Sequence, residues 1–396
     1  MSLDSPHPYA DAACPPSPNA SEDRLRFSGD NTFQRVLRRR VEDYFKQRGL
    51  KQRDNAAMYW KTAIILGVFV ASYAGLVFFA SSWWQGLLLS LVLGVATAGI
   101  GFNIQHDGGH QAYSDKRGIN KAMAMTLDMV GGSSYIWHWK HARFHHTYTN
   151  IAGHDSDIDL GVLARLSPTQ QRRTWHRWQH LYLWVLYGAT AIRWHLYGDF
   201  RDLITGTIGE RPFARPRGWD LAVFVLGKLV FFAIAFGLPL AFHPVGTVLL
   251  FYTAVAAVAG LLLALVFQMA HVVEQAEFPL PNEQSQQMDT PWAIHQLETT
   301  VDFARDNRVL SWLVGGLNFQ VAHHLFVRIS HIHYPAIARI IEDTCREFGQ
   351  PYHAHRSFAA GIASHYRWLR RMGLPTAAAL PIAPVPVLVA APLPQS

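Results

Sequence analysis

From Thr62 through Gln105 the chain carries no Asp, Glu, Lys or Arg, and from Leu221 through Val273 its only such charge is Lys228. A bilayer-spanning helix needs about 20 apolar residues, so each stretch is long enough to cross twice. Each is also broken near its middle. The first breaks at Ser81-Ser82-Trp83-Trp84-Gln85-Gly86, a short polar turn whose Trp pair suits a membrane interface. The second breaks near Pro239 and again at His243-Pro244. Two helical hairpins are expected, residues 62–80 with 87–105 and 221–241 with 246–270. Charged residues make up only 16% of the 396, against about 25% in an average soluble domain. An ordinary soluble enzyme, a disordered chain and a nucleic-acid binder are all excluded. The formal charge of +7 reads instead as basic segments facing anionic lipid.

The placement of that charge orients the hairpins. Residues 105–220 hold fourteen Lys or Arg, and the N-terminal segment and the region after 305 are basic, while the two hairpin turns have none. By the positive-inside rule both termini and the long middle loop are cytoplasmic, and a bacterial inner membrane is the expected location. Residues 1–30 read as a polar, Pro/Ser-rich disordered tail without a leader pattern. Residues 374–396 read as a Pro-rich disordered tail, since a helix cannot run through closely spaced prolines. Residues 31–373 form one domain between them. Within it, Phe33, Val36, Leu37, Val41 and Phe45 share one helical face among basic residues, which suits either a membrane surface or the protein's own core. The two cysteines, Cys14 and Cys345, exclude a disulfide framework and an internal iron–sulfur cluster. The fold class expected is all-α: an integral membrane protein of four spans beneath a cytoplasmic helical cap.

The 21 histidines are clustered. His106 and His110 follow directly on the second apolar segment in Gln105-His-Asp-Gly-Gly-His110. His141, His145 and His146 lie together in the middle loop, and His323 and His324 follow Gln320 after the second hairpin. Residues i and i+4 share a helix face, which pairs His106 with His110, His141 with His145, and Gln320 with His324. All three clusters fall on the cytoplasmic side of a topology derived from charge alone, and His271 closes the last span on that side. One such pair is more often structural than not; three on one membrane face point to metal, with imidazole the typical ligand of Fe, Zn, Cu or Ni. Eight imidazoles are too many for one ion, so two metals are the economical count. Soluble di-iron carboxylate bundles use Glu with Glu-x-x-His, a pattern absent here.

The three boxes, HDGGH at 106–110, Trp139-Lys-His-Ala-Arg-Phe-His-His-Thr-Tyr-Thr-Asn150, and Asn318-Phe-Gln-Val-Ala-His-His-Leu-Phe326 with Ile329-Ser-His-Ile-His-Tyr-Pro335, resemble those of the membrane fatty-acid desaturases. The branch most similar is the linoleoyl-CoA and front-end one, marked by Gln at the head of the third box, without a fused cytochrome b5 domain. The likeness runs from about Phe33 to Gly373. Val321-Ala322 stands where that branch usually has Ile-Glu, and Val327 where it usually has Pro. The resemblance implies two non-haem irons, O2 and two external electrons, with a cis double bond introduced into a fatty acyl chain carried on CoA or a lipid. It implies His106, His110, His141, His145, His146, His271, His323 and His324 as ligands, and Gln320 as a weak ligand or the holder of a water. Asp107, Asp155, Asp157, Asp159 and His138 are candidates to orient those imidazoles, the alternative for the acids being capping or solvation. His331 and His333 are expected to be structural.

Three other signals are weaker. Asp155-Ser-Asp157-Ile-Asp159 resembles the start of a calcium loop, but its glycine comes one position late and the closing Glu is missing. His243-Pro-Val-Gly246 resembles a cytochrome b5 haem motif, but sits in an outward turn with no soluble domain around it. A separate electron donor is therefore expected, ferredoxin or cytochrome b5 with its reductase. A hydroxylase of the same superfamily is the alternative chemistry. A His-rich zinc transporter is the alternative from another class, disfavoured because transporter sites lie near the bilayer midplane and these clusters lie beyond the hydrocarbon.

Overall fold

A computed structural model describes residues 25–375; the tail readings for residues 1–24 and 376–396 lie outside the described residues. Four helices are long and apolar enough to cross a membrane: Ala56–Phe79, Trp83–Gly109, Gly218–Leu240 and Val245–His271, spans one to four. They form the two hairpins expected. The Asn55 side chain accepts from Ala57 N at the head of span one. At the head of span two, Gln85 Oε1 accepts from the backbone N–H groups of Ser81 and Ser82, satisfying donors that a helix start would otherwise leave unpaired.

Spans two and four pack at close range because glycines line their seam. A Cβ on Gly94 would lie 2.6 Å from Val258 Cβ and 2.9 Å from the Val255 carbonyl oxygen. Association inside a bilayer relies on such close approach, since lipid is as apolar as the side chains. Lys228, the one charge in the second apolar stretch, is buried in protein. It donates to Asp199 Oδ2 at 2.7 Å and to the Gly131 carbonyl at 2.6 Å, which fastens span three to the middle of the chain.

The long middle segment contributes helix Gln179–Arg193, which lies against span four where Gly260 abuts the backbone of Tyr187, Gly188 and Ala191. Its other face leaves Leu181 and Val185 exposed, and Leu196 and Tyr197 continue that face, as an interfacial helix dipping into lipid would. The N-terminal amphipathic helix Thr32–Arg48 has a different fate. Phe33, Leu37, Val41 and Phe45 pack on Ile337, Ala338, Ile341 and Cys345 of helix Tyr334–Phe348. Of its two possible partners, the protein core is the one it meets.

Strands are few and short among the described residues. Arg26–Phe27 pairs in parallel with Gln287–Met288, and Asp302–Phe303 in parallel with Ala354–His355. Arg26 and Phe27 were expected within the disordered tail. They are ordered because Phe27 packs against the rings of Tyr148 and His295, partners too distant in sequence for composition to reveal.

Two expectations follow. Gly94→Ala should destabilise the protein by about 1–3 kcal/mol, the usual cost of overpacking, whereas Gly67→Ala, with nothing within 4 Å of the new methyl, should not; unfolding midpoints in detergent compare them. Burial holds His138, His295, His355 and His365 down to about 4. Unfolded histidines titrate near about 6.5, so the unfolded chain takes up protons first as pH falls. Stability should be full above about pH 6.5 and drain away between about 6.5 and 4, by up to about 1.4 kcal/mol per unit for each histidine. A midpoint unchanged from pH 7.5 to pH 5 would contradict this.

Candidate functional site

Each His cluster sits where a helix changes its pitch or stops. Span two loosens into a π-turn over Ile100–Gln105 and tightens again over His106–Gly109, so His110 N donates to the His106 carbonyl and their rings lie 4.7 Å apart. The second cluster is itself a π-helix, His138–His145. His146 N donates to the carbonyl of His141, five residues back, and that wider turn is a frequent device at functional sites. It aligns His141 with His146, whose Nε2 atoms are 3.1 Å apart. The expected pairing of His141 with His145 on an α-helical face is thereby corrected. Those rings stack at 5.2 Å, but their donor atoms serve different groups. The third cluster lies on helix Gln320–Leu325, whose Val321 N donates to the buried carboxylate of Asp302 at 3.0 Å.

The eight imidazoles converge in two lobes. Donor atoms of His106, His110, His141 and His323 all lie within 4.8 Å of one another, and so do those of His145, His271 and His324. His146 groups with His323 and His324 and stands between the lobes. All but the half-buried His141 are buried.

Four of these rings are held by one nitrogen and leave the other inward. His145 Nδ1 donates to Asp155 Oδ2 at 2.9 Å, His271 Nδ1 to the Thr299 carbonyl at 3.2 Å, and His324 Nδ1 to Gln296 Oε1 at 2.7 Å. His323 Nδ1 faces the Tyr334 hydroxyl at 3.2 Å. Nε2 of His145, His323 and His324, both nitrogens of His110, and Gln320 Oε1 are buried with no protein partner. Such atoms are rare because burying them unpaired is costly; convergent lone pairs on neutral rings are what a cation needs. The 3.1–3.3 Å separations of His141 Nε2 from His146 and His106 Nε2 match imidazoles sharing one ion at about 2.1 Å. The residues therefore fit metal ions.

Electrostatics agree. Burial, then the neighbouring imidazoles, push His110, His141, His146, His323 and His324 well below the ordinary histidine value. They are neutral at pH 7, as metal ligands must be. His145 moves the other way: burial lowers it, but the Asp155 carboxylate more than compensates.

The other sequence candidates are dispersed. Asp107 orients none of the eight imidazoles; its Oδ2 accepts from His331 Nδ1 at 3.0 Å and from Ser330 Oγ at 3.1 Å. The helical turn that aims His106 and His110 at the cluster turns the residue between them away. Asp157 pairs with Lys140 at 2.9 Å, and Asp159 accepts from Gly161 N. With Asp155 on His145, each acid of the calcium-like run has a protein partner. His138 makes no hydrogen bond to the cluster. Gln320 Nε2 donates to His271 Nε2 at 3.0 Å. His243 lies in the opposite turn, donating to the Val77 carbonyl at 2.7 Å. Gln296, Tyr334 and the Thr299 carbonyl escaped sequence reasoning, because nothing in Trp292–Thr299 marks a glutamine as facing a histidine box.

The family model described as "Fatty acid desaturase" matches residues 81–356. The sn-1 linoleoyl-lipid 6-desaturase of Synechocystis sp. is 41% identical over 89% of this chain and 98% of its own length. The corresponding enzyme of Arthrospira platensis is 38% identical over 89% and 95%. An acyl-lipid (8-3)-desaturase of Physcomitrium patens is 36% identical over 90% and 76%. With the three histidine boxes gathered into one cluster, these likenesses make the chain a member of the fatty acid desaturase family.

Proposed function

We propose that this protein introduces a cis double bond into a lipid-linked fatty acyl chain at a centre of two iron ions. The observation that carries the reading is the pair of buried imidazole lobes with inward, unpaired nitrogens. His106, His110, His141 and His323 would hold one ion, His145, His271 and His324 the other, with His146 between them. When bound, iron supplies an oxidant strong enough for an unactivated methylene, the overall change consuming one O2, two electrons and two protons and releasing two waters per double bond. The protein's own residues hold and orient. Asp155, Gln296 and the Thr299 carbonyl each fix one ring nitrogen so that the other faces the cluster. Gln320, beside His271 with Oε1 unpaired, is suited to hold a water. Phe267, 5.0 Å from the His145 ring and 4.8 Å from that of His271, helps to keep that lobe dry.

The names of the curated relatives favour an acyl-lipid over an acyl-CoA. An apolar cavity of about 410 Å³ lies among the four spans, lined by Thr97, Val130, Tyr252 and Ala259 among others. Thr97 is nine residues before His106, about 14 Å along a helix at 1.5 Å per residue. A chain reacting at the imidazoles would send its methyl end toward this cavity. The basic middle segment supports a cytoplasmic active site in a bacterial inner membrane. Its two cysteines are too few for an iron–sulfur cluster, and the electrons would come from a separate donor, ferredoxin or cytochrome b5 with a reductase.

Expression in a desaturase-deficient host should add one cis double bond to an acyl chain, read by mass spectrometry of total fatty acids. A profile with hydroxylated product alone would favour the superfamily's hydroxylases instead. His271→Ala should lower iron per chain and abolish the double bond. His243→Ala, across the bilayer, should keep both and lose about 1 kcal/mol with its hydrogen bond. Full iron in His271→Ala would remove it from the ligand set.

A further inference from the structure

Span one carries a lysine that no lipid-facing role explains. Lys61 is 5% exposed and lies one to two turns inside the span, where a charge is expensive and marks a function by default. Its Nζ is 2.9 Å from His331 Nε2, and Trp312 offers it a ring face at 5.1 Å. The other nitrogen of His331 is 3.0 Å from Asp107 Oδ2, which also accepts from Ser330 Oγ and from His331 N at 3.3 Å. His331, Asp107 and Ser330 are all buried. An ammonium only donates and a carboxylate only accepts. The imidazole between them therefore donates from Nδ1 to Asp107 and accepts at Nε2 from Lys61. The chain Lys61–His331–Asp107 runs in one direction with one tautomer.

We propose that this chain is a positioning clamp for the first lobe alone. Asp107 sits between His106 and His110 on one helical turn, and that turn has little freedom to shift: a Cβ on Gly109 would fall 2.3 Å from the Trp137 ring, and one on Gly108 2.6 Å from Ala124 N. His331 lies just beyond the third box and begins the turn leading to Tyr334, which faces His323. The His323 ring must meet His106 at 4.5 Å and His110 at 5.1 Å, across more than two hundred residues of chain. The carboxylate of Asp107 ties those two segments together, and Lys61 locks the tie from the neighbouring span. The second lobe takes its orientation from Asp155, Thr299 and Gln296, none of which belongs to the clamp. The inference rests on the reading of the cluster as a two-metal centre.

The test is a cobalt(II) titration of the purified full-length chain in detergent, followed by ligand-field absorption and by metal per chain, with the unfolding midpoint recorded for every variant. Lys61→Met should weaken one of two cobalt sites by about 10-fold, the low end of the loss when a ligand's direct partner is removed, since Lys61 acts through His331 and Asp107, and leave the other at wild-type affinity. Lys61→Gln, which keeps a neutral donor toward His331, should recover part of that loss and keeps the test open if the methionine variant does not fold. His271→Ala should weaken the opposite site, with a different absorption change. Two wild-type cobalt sites in folded Lys61→Met, or equal weakening of both, would overturn the clamp. A wild-type chain that binds no cobalt or iron would overturn the two-metal reading itself.

Discussion

The structure depends on eight imidazoles, seven of them buried and His141 half-buried, that converge on one another with most of their inward nitrogens unpaired by protein. Unpaired polar atoms in a dry interior are costly, and nothing in the fold's own hydrogen bonding offsets them here. What the fold does is hold the rings from behind. A carboxylate, an amide oxygen and a backbone carbonyl each take one imidazole N–H, at His145, His324 and His271, leaving the second nitrogen committed to the centre. Those partners come from the middle loop and from helix Trp292–Thr299, so the site requires the cap to close over the spans before it exists at all.

The spans supply the rigid frame for that closure. Gly94 and Gly260 allow spans two and four to approach their neighbours closely, and those two spans deliver His106 and His271 from the membrane side. Lys228 and Lys61 are charges within apolar helices, and each is turned into the protein and paired rather than left toward lipid. Both tie a span to a segment outside the spans, which is how helices meeting lipid on most of their surface keep register with a polar site. The third box shows the same logic from the other side, its helix held at Val321 N by the buried Asp302, which also accepts from the Tyr352 hydroxyl.

The spans and the histidine boxes were legible in the sequence. Lipid imposes a continuous apolar run on any span, so four spans and their two turns could be read from the absence of charge. The boxes were legible because histidine is otherwise sparse at such spacing, and the branch resemblance agrees with the 6-desaturase relatives. The acids around the clustered histidines were not legible to the same degree. Asp155 reaches His145, whereas Asp107, Asp157 and Asp159 face His331, Lys140 and a turn N–H, since a carboxylate near a histidine in sequence has several polar groups to choose among in space.

By itself the sequence determined what must be apolar, which side is basic, and which side chains could ligate metal, because these are properties of residue types and their local period. Tertiary structure decided which imidazole joins which lobe. The π-turn at His138–His145 breaks the four-residue period, sending His145 toward His271 and His324 while His141 turns to His106 and His110, and no spacing rule for an α-helix anticipates that. Tertiary structure also decided that the N-terminal amphipathic helix packs on Tyr334–Phe348 rather than on lipid, and that Gln296 and Tyr334 stand behind histidines of the third box. In each case the partner lies on another element, and only the packed chain brings the two surfaces into contact.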